Sequence, residues 1–278
     1  MTEGVTDLVL SLDRRRELID LLGDDDRLRV SFPKVNEYLE MAPQLAGTGN
    51  LQVDAAFELR FVHYMTCSRA ESANPYWDIV SPLLSDHDGR RVLDGGKSDG
   101  SPRLAFAQML LQGVYAYALP SPETLEWVSA FCGGRKVVEL GAGRGYWAAQ
   151  MARSGINIDA YDIEPPDAAE NISFPRVAGQ TATWYPVRDI GGVDMGADQV
   201  LFLCWPPGWG NTMASEALTQ FEKAGGRRLI FIGQPRGGMT GDDAFFDALT
   251  DRWEMVDEDN RYVAWWNLTD VAQGWIRR

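Results

Sequence analysis

The 278-residue chain is 45 % hydrophobic and 24 % charged, a globular composition that excludes intrinsic disorder and fibrous repeats. Forty acidic against 26 basic side chains leave a formal charge of −14, which repels phosphate backbones, and no local basic patch offsets it, so nucleic-acid binding is not expected. Three scattered cysteines (Cys67, Cys132, Cys204) and two histidines (His63, His87) exclude a disulfide framework and a three-histidine zinc site; no metal is expected.

The opening MTEGVTDLVL lacks a basic region ahead of an apolar run, and no stretch of eighteen apolar residues occurs. These features predict neither export nor membrane insertion, and a cytoplasmic setting. In chain order, RRRELIDLL at 14–22 places Leu18, Leu21 and Leu22 on one helical face, with Gly23 as the stop. Pro33 opens a second helix carrying Val35, Tyr38 and Leu39, and a third spans Leu51 to about Cys67. The Gly/Asp-rich DHDGRRVLDGGKSDG, residues 86–100, predicts an exposed loop, with His87 solvated. A helix from about Leu104 to Tyr115 follows. Residues 1–115 thus form a helical N-terminal extension or lid.

Residues 116–278 alternate short apolar runs with helical patterns, which predicts a doubly wound α/β domain with a mostly parallel sheet. Ser121 and Pro122 start a helix that ends near Gly133 and Gly134. A strand at Lys136 to Leu140, a glycine loop, and a helix from Tyr146 to Gly155 come next. Ile156 to Tyr161 is a strand delivering Asp162, stopped by Pro165 and Pro166. QVLFLC at 199–204 is a buried strand before Pro206 and Pro207. A helix at Met213 to Lys223, the strand RLIFIG at 228–233, and a helix capped by Asp242 or Asp243 follow. Pieces around Trp253 to Val256 and Tyr262 to Leu268 predict a terminal antiparallel hairpin.

The run VVELGAGRGYW, residues 137–147, carries the chemistry. A strand delivers Glu139, then Gly141, Gly143 and Gly145 form a loop in which the backbone turns tightly and a ligand can approach without a Cβ in the way. Asp162, at the end of the next strand, suits the hydroxyls of a ribose. The dinucleotide pattern G-x-G-x-x-G would need glycine at position 146, which is Tyr146. Glu139 opposes a pyrophosphate and suits a ligand bearing an ammonium and a sulfonium. S-adenosylmethionine is such a ligand.

At these residues the chain resembles the class I S-adenosylmethionine-dependent methyltransferases, with a Rossmann-like sheet. ELGAGRG is similar to their first motif and YDIEPP (161–166) to their second, while QVLFLCWPPGW (199–209) stands where that superfamily places the loop beside the transferable methyl. YAYALPSPETL, TWYPV, CWPP and GGMTGDDAF together resemble a poorly characterised group of bacterial, fungal and plant methyltransferase-like proteins. The resemblance implies that Glu139 and Gly141, Gly143 and Gly145 surround the methionine end, that Asp162 holds the ribose, and that Ile163 packs on the adenine. Gln180 and Thr181 would then meet the adenine edge.

Trp205 stands where amino-group methyltransferases carry Asn, Asp or Ser before Pro-Pro, and the following aromatic is displaced to Trp209. Both rings are candidates for stacking on a planar or cationic acceptor, and His63 is a candidate general base for a hydroxyl. The resulting expectation is methyl transfer to an oxygen or nitrogen of a small molecule or short peptide, as in natural-product tailoring. Two alternatives stay open: a non-catalytic scaffold that keeps the fold, and a nicotinamide-dependent oxidoreductase, which Tyr146 and Glu139 disfavour. Cys204 reads as a small core residue.

Overall fold

The computed structural model describes residues 8–166 and 174–278. The chain divides into two compact units. The first comprises the residues up to Val114 together with Arg176–Thr181 and Trp265–Asn267; the second comprises Tyr115–Pro175, Ala182–Ala264 and Leu268–Arg278.

In the first unit, short helices start at side-chain caps: α1 (Leu12–Leu22) at Ser11, α2 (Asp25–Ser31) at Asp24, α4 (Leu51–Thr66) at Asn50 and α5 (Pro75–Val80) at Asn74. Proline at the first turn opens α3 (Pro33–Met41), and α6 covers Pro102–Val114. Tyr38, Phe57 and Phe61 are fully buried together, with the Tyr38 and Phe61 rings 4.2 Å apart.

The segment expected to be a plain loop contains a hairpin, β1 (Leu84–His87) paired antiparallel with β2 (Arg90–Leu93). Asp88 and Gly89 both take positive φ, 55° and 87°, the two-residue turn whose twist matches paired strands. Nor is His87 simply solvated. Its Nε2 lies 2.6 Å from Oδ2 of the fully buried Asp94, whose Oδ1 accepts from Ser85 Oγ and Gly96 N.

The second unit is built on a seven-stranded sheet. Its strands are β3 (Val137–Leu140), β4 (Ile158–Asp162), β5 (Val187–Asp189), β6 (Val200–Cys204), β7 (Arg228–Gly233), β8 (Trp253–Glu258) and, beyond β9 (Val263–Trp265), β10 (Val271–Arg277). Their order is β5-β4-β3-β6-β7-β10-β8. The first five are mutually parallel, and β10 lies antiparallel between β7 and β8. The doubly wound, mostly parallel fold is therefore present. The terminal hairpin is corrected in its partner: β8 pairs with 271–277, while Val263–Trp265 is not a member of this sheet.

Alternation sets the core. Val138, Leu140, Leu201, Leu203, Leu229 and Phe231 face α9 (Met213–Lys223) and α10 (Asp243–Arg252) through Leu218, Phe221, Phe245 and Leu249. Glu139 lies on the opposite face of β3, in register with Phe202, against which Trp147 of α8 (Tyr146–Arg153) packs at 5.4 Å. The α7 helix (Pro122–Cys132) is capped by Ser121 and ends at left-handed Gly133, as its sequence predicts. Chain order reverses between β3 and β6, which opens a crevice at the carboxyl ends of the strands.

Candidate functional site

The glycine loop occupies that crevice. Gly141, Gly143 and Gly145 take φ of 76°, 53° and 73°, a left-handed conformation that glycine reaches without steric cost. The N–H groups of Gly141 and Ala142 donate to Tyr161 O, so the loop is fixed to the end of β4. Trp184 N donates to Arg144 O from the other side. A Cβ on Gly143 would lie 2.6 Å from the Phe174 ring, which therefore rests directly on the loop.

Two acids flank this turn. Asp162 accepts from Gly143 N through Oδ2 at 2.7 Å and from Glu164 N through Oδ1 at 2.9 Å. Burial nevertheless raises its pKa, against those N–H groups, which act to lower it. Glu139 is 3 % exposed, and its Oε2 has no hydrogen-bond partner among the described residues. Burial, then the Asp162 carboxylate, pushes its pKa up to about 8. Such a group needs a cation nearby to ionise fully at neutral pH, and the described residues supply none that acts on it.

Ile163 follows on the surface, 77 % exposed. Gln180 and Thr181 belong to the first unit, where Gln180 Nε2 donates to Met65 O at 3.5 Å.

The WPPGW loop is held by backbone bonds to the loop after β7: Gly208 N donates to Met239 O, and Gly241 N to Pro206 O. Trp205 and Trp209 both adopt positive φ, 52° and 49°, a conformation that costs a bulky residue about 1–3 kcal/mol. Trp205 is fixed there by three contacts. Its N–H donates to Ile232 O at 2.7 Å, its Nε1 to Asp270 Oδ2 at 2.8 Å, and its ring stacks on Tyr117 with centroids 5.1 Å apart. Trp209 is 82 % exposed. Cys204 is half-buried near Glu139 and Asp270; desolvation of the thiol first, then those charges, raises its pKa well above the ordinary value. A thiol held protonated in this way is a weak nucleophile. Asp242 precedes α10 without the expected side-chain cap; its Oδ1 instead accepts from Ser215 N in the first turn of α9.

His63 is corrected as a general base. Its Nδ1 accepts from Arg14 Nε at 3.1 Å, which places its own proton on Nε2 and leaves no lone pair for a hydroxyl proton. Arg14 Nη2 also donates to His63 O and Thr66 Oγ1, so the histidine joins α1 to α4. Burial, then the Arg14 charge, lowers its pKa.

Sequence reasoning passed over Tyr117, Asp270 and Arg144. The first two are separated in the chain from the loop they support, and no local pattern marks them. Arg144, between two glycines of the loop, is only 1 % exposed.

No protein-family model matches the chain, and no curated protein matches it. Among solved structures it is similar to a TehB-like SAM-dependent methyltransferase from Corynebacterium glutamicum, with 16 % identity over 63 % of this chain and 97 % of that one at a TM-score of 0.37. It is also similar to the CcbJ methyltransferase of Streptomyces caelestis, with 14 % identity over 57 % and 90 % and a TM-score of 0.35. A third similar structure is magnesium protoporphyrin IX methyltransferase from Synechocystis with bound SAM, at 17 % identity over 56 % and 79 % and a TM-score of 0.31.

Proposed function

We propose that this chain is an S-adenosylmethionine-dependent methyltransferase acting on an oxygen or nitrogen of a small molecule or short peptide, in a tailoring role and in the cytoplasm. One observation carries the reading: a buried carboxylate, Glu139, with an orphaned oxygen at a glycine-floored turn. A nucleotide pyrophosphate would be repelled there, whereas an ammonium or sulfonium supplies the missing positive charge. The left-handed glycines leave room for close approach, Asp162 stands at the end of β4 for a ribose, and exposed Ile163 offers an apolar face to an adenine.

When bound, S-adenosylmethionine supplies a methyl group already activated on sulfur. The chain is then left with alignment and exclusion of water. Trp205, fixed by Asp270 and Tyr117, shapes the wall after β6, and Trp209 presents an exposed ring beside it for a planar or cationic acceptor. No residue need act as a strong base for an acceptor already neutral and nucleophilic.

A second reading has its own support. Trp205 supplies no side-chain oxygen for an acceptor nitrogen, and its one donor is already bonded to Asp270, which favours a binding protein that keeps the fold without catalysis. Calorimetric titration with S-adenosylmethionine, S-adenosylhomocysteine and NADH tests the assignment. Micromolar binding of the first two with none of the third is expected; NADH binding alone would refute it. Tight cofactor binding with no methylated product from a broad acceptor panel would favour the binding protein.

A further inference from the structure

Asp270 precedes β10, which runs antiparallel to β7 with Val271 opposite Gly233, so it stands at the carboxyl end of β7, the end at which the glycine loop and the WPPGW loop also lie. There it is buried and accepts the Trp205 Nε1–H at 2.8 Å. Trp205 in turn stacks on Tyr117 with the ring planes 12° apart, and Phe174 meets Tyr117 edge-on at 5.8 Å. Phe174 is the ring that rests on Gly143. A continuous run of three rings therefore leads from the glycine loop to Asp270, and Tyr117, 37 % exposed, carries a solvent-facing part of it.

What such a wall can recognise follows from what it lacks. The Trp205 side chain has given its one donor to Asp270 and has no acceptor, so it offers a ligand only its ring face. A hydrogen bond to a carboxylate is charge-assisted and polarises the indole, which makes that face more negative. The charge behind the wall has the same sign: desolvation first, then the Glu139 and Asp270 carboxylates, raise the pKa of the Cys204 thiol one residue before Trp205, so both acids act at this end of β6. A neutral ring gains little from that field and an anion is repelled by it, whereas a cation is attracted by the ring faces and the carboxylate together. Arg144, with its guanidinium 6.0 Å from the Phe174 ring, already makes such a contact at the glycine-loop end. With a net charge of −14, the chain also draws cations from a distance.

We propose that the methyl acceptor carries a positively charged nitrogen group, an ammonium or quaternary ammonium, apart from the atom that is methylated, and that the Tyr117 and Trp205 rings hold this group. Asp270 is the positioning residue: it acts through the Trp205 N–H and sets the preference for charge. The inference rests on the methyltransferase reading and deepens it, from a planar or cationic acceptor to a cationic one. The charge has to lie apart from the nucleophile, because a protonated amine has no lone pair with which to attack the methyl group.

The test is calorimetric, with the full-length chain saturated with S-adenosylhomocysteine and a matched pair of probes: choline, and its tert-butyl analogue in which an uncharged carbon replaces the nitrogen. Choline is expected to bind about 3- to 30-fold more tightly than the analogue, the range of a cation–π contact from exposed to desolvated. Asp270→Asn keeps an oxygen for the Trp205 N–H and removes the charge, so it is expected to shrink that ratio by weakening choline alone; a ratio unchanged from wild type would overturn the role of Asp270 and leave it a structural partner. Tyr117→Leu is expected to shrink the ratio as well. Equal binding of the two probes, tighter binding of the neutral one, or binding of neither by the loaded wild-type protein would overturn the cationic acceptor while leaving the cofactor reading intact. If a variant does not fold, the wild-type ratio still decides. If S-adenosylhomocysteine does not bind, the methyltransferase reading falls, and the same pair titrated into the unloaded chain decides whether the wall selects a cation.

Discussion

Replacing Glu139 by Gln should make the ligand-free protein more stable at high pH and leave it unchanged at low pH. The carboxyl ordinarily titrates near 4.5, and in the folded chain it is pushed up to about 8, first by burial and then by the Asp162 charge. Between those two values the folded state keeps a proton that the unfolded state has released, so stability falls as pH rises through this window. At about 1.4 kcal/mol per pH unit, the loss is about 3 kcal/mol at pH 7 and about 5 kcal/mol once pH exceeds 8. Glutamine resembles the protonated acid and has no such loss. Urea unfolding of both proteins at pH 5, 7 and 8.5, followed by circular dichroism, isolates the effect, because every other titrating group is shared. The two proteins should be within about 1 kcal/mol of each other at pH 5 and diverge by several kcal/mol at pH 8.5. Stability curves that run parallel across this range would refute the burial of an unpaired acid at this position.

The same group predicts a proton linkage in binding. S-adenosylhomocysteine added at pH 7 should release about 0.9 proton, since a carboxyl titrating near 8 is mostly neutral before the ammonium arrives; calorimetry in buffers of different ionisation enthalpy measures it, and Glu139→Gln should abolish it. Gly145→Ala should destabilise the fold by about 2–3 kcal/mol, because φ is 73° and the added Cβ would lie 2.9 Å from Tyr185 O; thermal unfolding reads the shift, and an unchanged midpoint would contradict the geometry. Arg14→Ala should raise the His63 pKa toward its ordinary value of 6.5 by removing the largest effect after burial that lowers it, as seen by NMR titration of the ring. An unchanged His63 pKa in Arg14→Ala would contradict the Arg14–His63 contact.

The glycine loop and both acids were legible because a left-handed turn between a strand and a helix restricts the residue type, so Gly141, Gly143 and Gly145 announce the backbone before it is seen. The long helices were equally plain from their caps and apolar spacing. What escaped was set by distant partners or by weak local signals. The β5 strand is three residues, VRD, with one buried side chain, too short to produce a period. The partner of β8 is fixed by β10 inserting beside β7, a choice made by the whole sheet. The β1–β2 hairpin hid in polar strands although Asp88-Gly89 marks its turn. The orientation of Arg144 depends on Phe174 and Pro175, thirty residues further on.

Residue type alone points to the wrong side chains here. Histidine is the usual candidate for proton transfer, yet each histidine has one ring nitrogen already engaged within the chain, His63 by Arg14 and His87 by Asp94. Glu139 and Arg144 are by contrast buried with a bonding position open on each among the described residues. A satisfied polar group stabilises the fold and asks for nothing more, whereas a buried acid without a counter-ion holds its proton near neutral pH and weakens the fold for as long as the site is empty. A ligand that brings a positive charge to Glu139 recovers that cost on binding, so it should raise the unfolding temperature by an amount that grows with the logarithm of its concentration above the dissociation constant.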